Sequence, residues 1–254
     1  MHQAYLLILD KQLTISRLPR TCERILDVGS GPGDWAIAMG EQFPRTRIIA
    51  TDISVRAPAN APQNVLFQLD DASTDWTYQE PFDYIHMRGL SGAFTNWTAI
   101  YAQAFRHLKE NGILELADFG TIKLENEPPE SYLSIFNAAC QSAATSAGIT
   151  IGLEHLRKQV LESSGLRVSR STVLEVPLGT WSPDRRKHAA GRMALIAVLE
   201  GIEAMSLRLL TRELEWGVEE VRELCESVRG EIMVEGARPS CSVQFVVARK
   251  ISVG

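Results

Sequence analysis

The 254-residue sequence predicts an α/β fold: a doubly wound, mostly parallel sheet with added helices forming a lid. Three observations predict it. The branched apolar run Ile25–Val28 leads through Gly29-Ser30-Gly31-Pro32-Gly33 into the helical start Trp35-Ala36-Ile37-Ala38-Met39, a strand, tight turn and helix in succession. Further apolar runs at 47–52, 65–69, 82–88 and 113–118 each end in, or run directly into, charged residues. Before the last of them, Ile100, Tyr101, Ala104, Phe105 and Leu108 recur at helical spacing, as a crossover helix would require.

Composition narrows the function. A hydrophobic content of 45% is that of a globular chain with a sizeable core, and a formal net charge of −5 argues against broad nucleic-acid or anionic-membrane binding. A small-molecule partner is expected, with no nucleic acid and no membrane. Cys22, Cys140, Cys225 and Cys241 lie far apart, so neither a metal site nor a disulfide framework is signalled. The apolar run Tyr5–Leu9 is too short to span a membrane, and a cytoplasmic location is expected.

Taken in order, Tyr5 to Leu9 suggests a short helix and Leu13-Thr14-Ile15 a small extended piece before the first core strand. The strand at 47–52 ends in Asp52, about twenty residues beyond the glycine loop, the spacing at which a carboxylate takes ribose hydroxyls. Val65–Leu69 then runs into Asp70-Asp71-Ala72. There the Asp71 carboxylate could accept from an adenine amino group while the Ala72 N–H donates to the ring; Asp70 is a candidate for the same site, or a helix cap or turn residue. The strand Phe82–Arg88 closes on polar residues. His86 is the candidate general base, Arg88 would orient an acceptor or pair with an acid, and Met87 would pack against the nucleoside. The helix 97–109 stops at Asn111-Gly112 and delivers the fifth strand, with Glu115 and Asp118 near its end.

The pattern then changes. Helices are expected over Ser131–Ala147 and Leu153–Glu162, a sixth strand over Leu166–Val176, and a long helical stretch from Arg185 to Arg229 broken near Gly217. Leu195, Leu199, Ile202, Met205 and Leu209 share one side of it, read as core-facing with a homodimer surface as the alternative. A last strand, Cys241–Arg249, closes one edge. One domain over 1–254 with a helical insertion at about 185–230 accounts for the chain.

The glycine loop separates two ligand classes. Dinucleotide loops read G-x-G-x-x-G, whereas Gly31 and Gly33 are one residue apart. Asp27 before the loop would repel a pyrophosphate but suits the ammonium and sulfonium of S-adenosylmethionine (SAM). Asp27, Gly29, Ser30, Gly31, Gly33 and Trp35, with Asp52, Ile53, Asp70, Asp71, Ala72, His86 and Met87, form the expected cofactor site.

With Asp52 and Asp71-Ala72 in place, the chain resembles a class I SAM-dependent methyltransferase. Asp75-Trp76, Phe82–Arg88, Tyr101–Lys109 and Leu199–Ala204 resemble the fungal methyltransferases of secondary metabolism, which include the methyltransferase-like velvet-complex regulator and natural-product tailoring enzymes. Pro32 stands where that family commonly has threonine. The resemblance implies a seven-stranded sheet whose last strand is antiparallel, and methyl transfer to an O, N or S of a natural product. Two alternatives share these motifs: a regulatory protein acting through partners, with nuclear localisation, and a SAM-binding enzyme catalysing a rearrangement.

Overall fold

The structure, a computed structural model, describes residues 1–54 and 58–251. Seven strands form one sheet in the order β3-β2-β1-β4-β5-β7-β6. They are β1 (Arg24–Val28), β2 (Arg47–Asp52), β3 (Val65–Leu69), β4 (Phe82–Arg88), β5 (Leu108–Leu124), β6 (Leu166–Pro177) and β7 (Pro239–Lys250). The first five pair in parallel. Lys250 Nζ reaches the Leu108 carbonyl at 3.0 Å and Arg249 reaches that of Asn111 at 3.1 Å, so the end of β7 lies beside the start of β5. The Leu178 N–H donates to Pro239 O and the Ser169 hydroxyl to Val247 O. Numbering falls on one strand as it rises on the other, so β7 runs against β6 as well as against β5.

The chain clusters into two compact units. One comprises 12–118, 153–173 and 244–254. Its strands read as unbroken apolar runs because both sheet faces are covered. Leu26, Val28, Ile85, Met87, Leu114 and Leu116 face a core shared with Trp97, Ile100, Tyr101 and Ala104 of α3 (Trp97–His107) and with Leu161 of α5 (Lys158–Glu162). Alternate residues Ile25, Ile48, Ala50, Tyr84 and Ile113 face Trp35, Ala36 and Met39 of α2 (Asp34–Gln42). Period-two alternation sends neighbouring side chains to opposite helices.

The other unit comprises 1–11, 119–152 and 174–243. It holds α1 (His2–Ile8), α4 (Tyr132–Ala147), α6 (His188–Glu213) and α7 (Val218–Ile232). Leu133, Phe136 and Ala143 of α4, Ile202 and Leu210 of α6, and Val221, Cys225 and Val228 of α7 form its core. The break near Gly217 is real: Gly217 caps α7 and donates its N–H to Glu220. Ile202 is buried and Leu195, Leu199 and Leu209 pack on the core, whereas Met205 points outward with 71% exposure.

Several boundaries differ from expectation. Among the described residues no helix joins β2 to β3 or β3 to β4, so the first five strands are linked by two helical crossovers, α2 and α3. Leu153–Glu162 is a 3-10 turn at Glu154–Leu156 followed by the short α5. β5 begins at Leu108, directly after α3, because residues 109–112 bulge from the ladder: Phe82 pairs with Leu108 but Tyr84 with Ile113. No strand forms at Leu13–Ile15.

Side chains secure the connection that leads into β3. The Asn64 amide before β3 donates to the carbonyls of Gly40, Phe43 and Thr46 at 3.2, 3.1 and 2.9 Å, satisfying groups that the end of α2 leaves open. Asn64→Ala is expected to cost about 1–2 kcal/mol of unfolding free energy, read from the denaturation midpoint at unchanged slope.

Candidate functional site

Open parallel sheets bind ligands beyond the carboxyl ends of their strands, and there the described side chains converge. Asp27 of β1, His86 of β4 and Glu115 of β5 stand in register on one sheet face. Each is at most 3% exposed. Buried charges are costly unless paired, and each carboxylate here has donors. His86 Nδ1 lies 2.8 Å from Asp27 Oδ1. Glu115 accepts from the Ile15 and Ser16 N–H groups at 2.8 and 2.9 Å, fastening the segment after α1. Asp27 Oδ2 is the exception, a buried oxygen with no hydrogen-bond partner among the described residues.

Trp35 holds this row in place. Its indole stacks on His86 at 3.7 Å and 9°, and its Nε1 donates to Leu13 O. The ring is 2% exposed, so Trp35 is a wall behind the site rather than the cofactor contact expected. His86 needs the same correction. Enclosed by Asp27, Trp35 and Tyr84, it cannot be reached as the general base the sequence suggested. Burial lowers its pKa below the ordinary 6.5, against the pull of Asp27, and the neutral ring donates Nδ1–H to the carboxylate. Met87 is also displaced from its expected role, its side chain lying in the core beside Leu26, Val28 and Ile85. Arg88, half-buried at the end of β4, stands across from Ala117.

The glycine loop is held from β2. Gly31 N–H donates to Asp52 Oδ2 and Ser54 N–H to Oδ1, both at 2.9 Å. Asp52 therefore shapes the loop, and each oxygen keeps acceptor capacity for a ligand hydroxyl. Gly33 takes φ +86°, and a methyl there would lie 2.3 Å from the Phe67 ring, so glycine is obligatory. At Gly31 a methyl would meet nothing within 4 Å, which leaves the loop backbone open to a ligand. The Ser30 N–H donates to Thr51 O. Ile53 is 75% exposed just past β2, an apolar surface of the kind an adenine ring covers.

Beyond β3 the two acids separate. Asp71 is exposed, and the Ser73 hydroxyl and N–H, at 2.6 and 2.9 Å, hold its carboxyl below the ordinary value and ionised. Asp70 turns inward to accept from the Tyr78 hydroxyl at 3.1 Å, so of its expected roles it takes that of a turn residue anchoring the loop rather than cofactor ligand or helix cap.

Sequence reasoning missed Gln103. Buried on α3, it accepts from Trp76 N–H at 2.6 Å and donates to Thr74 O at 2.8 Å, fixing the loop that carries Asp71 and Ala72. Its signal is a lone polar residue among Ile100, Tyr101 and Ala104. Asp118 and His155 form a second buried pair at 3.0 Å.

Comparisons with known proteins agree with this geometry. Residues 2–142 match a methyltransferase domain family. The chain is 30% identical to methyltransferase pytC of Aspergillus terreus, over 98% of this chain and 78% of that protein. It is likewise 30% identical to the secondary metabolism regulator LAE1 of Cochliobolus heterostrophus, over 87% of this chain and 74% of the relative. Coclaurine N-methyltransferase, solved with N-methylheliamine and SAH, superposes with a TM-score of 0.56 at 16% identity, over 98% and 72% of the two chains.

The lowered His86 pKa has a consequence for stability. The unfolded chain takes up the proton at a higher pH than the folded one, so stability from neutral His86 is present above about 6.5 and lost as pH falls below it. His86→Asn keeps a donor to Asp27 but cannot titrate. Its unfolding free energy should fall less than wild type's between about pH 7.5 and about pH 5.5, by up to about 1 kcal/mol.

Proposed function

Because the chain belongs to the methyltransferase domain family, we propose that the glycine-loop site takes SAM and that the chain methylates an O, N or S of a small-molecule natural product. The observation that carries the cofactor is Asp27: a buried carboxylate with one oxygen satisfied by His86 and the other without a partner among the described residues. An unpaired acceptor in a dry site calls for a donor from outside the chain, and an ammonium is the donor that such a charge favours most. Around it, the Gly31 backbone is open, Asp52 keeps acceptor capacity for ribose hydroxyls, Ile53 offers an apolar face and Asp71 an ionised acceptor.

When bound, SAM would supply an activated methyl group on a sulfonium. The chain's own part is positioning. Asp27, locked by His86 and Trp35, fixes the amino-acid end, and Asp52 with the glycine loop fixes the nucleoside. Holding reactants in line supplies several kcal/mol of barrier lowering without a catalytic proton transfer. With His86 enclosed, the reading needs no base from β4. The four cysteines are buried free thiols, which supports the cytoplasm as the working compartment.

The likeness to LAE1 supports a second reading, a methyltransferase-like regulator acting through protein partners. Met205 and Ile196 on α6, 71% and 40% exposed, are apolar side chains that such a role could use. A partner captured without consumption of SAM would favour it.

Calorimetry with S-adenosylhomocysteine (SAH) tests the cofactor. Wild type should bind, and Asp27→Asn should bind about 10- to 100-fold more weakly, the value of a hydrogen bond to a charged group. No uptake by wild type would defeat the reading. A screen of natural-product acceptors with methyl-labelled SAM then decides transfer: product gaining the label supports it, and rearranged product without label contradicts it.

A further inference from the structure

The loop after β4 carries an arrangement that the proposed chemistry does not use. Gly89 and Gly92 adopt φ +70° and +81°, a backbone that only glycine takes without strain, and they bracket Leu90 and Ser91. The loop is fastened to the end of β5. Gly89 N–H donates to Ala117 O at 2.9 Å, and the Leu90 and Ser91 N–H groups reach the two oxygens of Asp118 at 3.3 and 3.2 Å.

Asp118 is 4% exposed, and His155 Nε2 lies 3.0 Å from its Oδ2. The His155 side chain is wholly buried, stacked on Trp97 at 4.0 Å and 20°, and its carbonyl accepts from the Tyr101 hydroxyl. Burying a carboxylate and an imidazole costs free energy that two apolar side chains of the same volume would not. A role confined to core packing does not account for that choice; what the carboxylate holds does. The clamp sets Leu90 against the glycine loop: a methyl on Gly29 would lie 2.3 Å from Leu90 Cδ2. Leu90 fills the space that a Cβ at Gly29 would need, and Gly29, at φ +68°, opens the loop immediately after Asp27 and Val28.

We propose that Leu90, clamped by Asp118 and His155, is a positioning residue that sets the shape of the glycine loop and through it the cofactor affinity. The inference rests on the cofactor reading above. The clamp and the Asp27–His86 pair then hold the loop from two strands, β5 through Leu90 and β4 through His86.

Calorimetry of the full chain with SAH, alongside thermal melts, tests it. Leu90→Ala should bind SAH about ten-fold more weakly with little change in melting temperature, since contacting sites couple and Leu90 is only partly buried. Leu90→Met, which keeps the contact, should stay within about two-fold of wild type. Asp118→Asn should weaken binding in the same direction as Leu90→Ala. Gly29→Ala should bind poorly, and adding Leu90→Ala should recover part of the loss by freeing the space. Leu90→Val, trimmed by one methylene, decides the same comparison if the alanine variant does not fold. Wild-type affinity in Leu90→Ala, or equal loss in Gly29→Ala with and without Leu90, overturns this inference alone. A wild-type chain that takes up no SAH overturns the cofactor reading and this inference with it.

Discussion

A carboxylate taken out of water must be repaid in hydrogen bonds, and the placement of Asp27 obeys that constraint. One of its oxygens is held by His86, whose ring is pressed by Trp35, whose indole is in turn held by Leu13 O. Four residues from β1, β4, α2 and the segment after α1 thus converge to fix one oxygen atom. The second oxygen, buried at the carboxyl edge of the sheet where the glycine loop begins, has no partner among the described residues. Removing the partners of Asp27 would leave an uncompensated buried charge.

The strands are legible in the sequence because both sheet faces are buried, which turns Ile25–Val28, Arg47–Ala50 and Phe82–Met87 into apolar runs with charged ends. The glycine loop is legible for a different reason. Only glycine tolerates φ +86° at Gly33 beside the Phe67 ring, so the residue type records the geometry. Asp27 and Asp52 follow from their spacing to that loop.

What composition and periodicity do not record is direction. His86 and Trp35 look like site residues because they sit at the right places in the chain, yet each ring turns into the protein and satisfies the other. Asp70 and Asp71 are adjacent and chemically identical. A tyrosine eight residues later decides that Asp70 faces inward. Around β3, Gln103 and Asn64 hold the connections with single amides reaching across the fold. Such long-range partners leave no periodic trace, which is why the links between β2, β3 and β4 were the least legible part of the fold.

In the proposed reading the loop, the two carboxylates and the clamp on Leu90 all act on one ligand; the two compact units carry separate cores. The central claim is that the second oxygen of Asp27 receives the amino group of the cofactor while His86 keeps the other. A crystal structure of the chain with SAH tests it most directly. The account predicts the SAH amino nitrogen within hydrogen-bond distance of Asp27 Oδ2, with the His86 Nδ1 bond and the Trp35 stack intact. An amino group bound elsewhere, or an Asp27 released from His86 to reach it, would contradict the account.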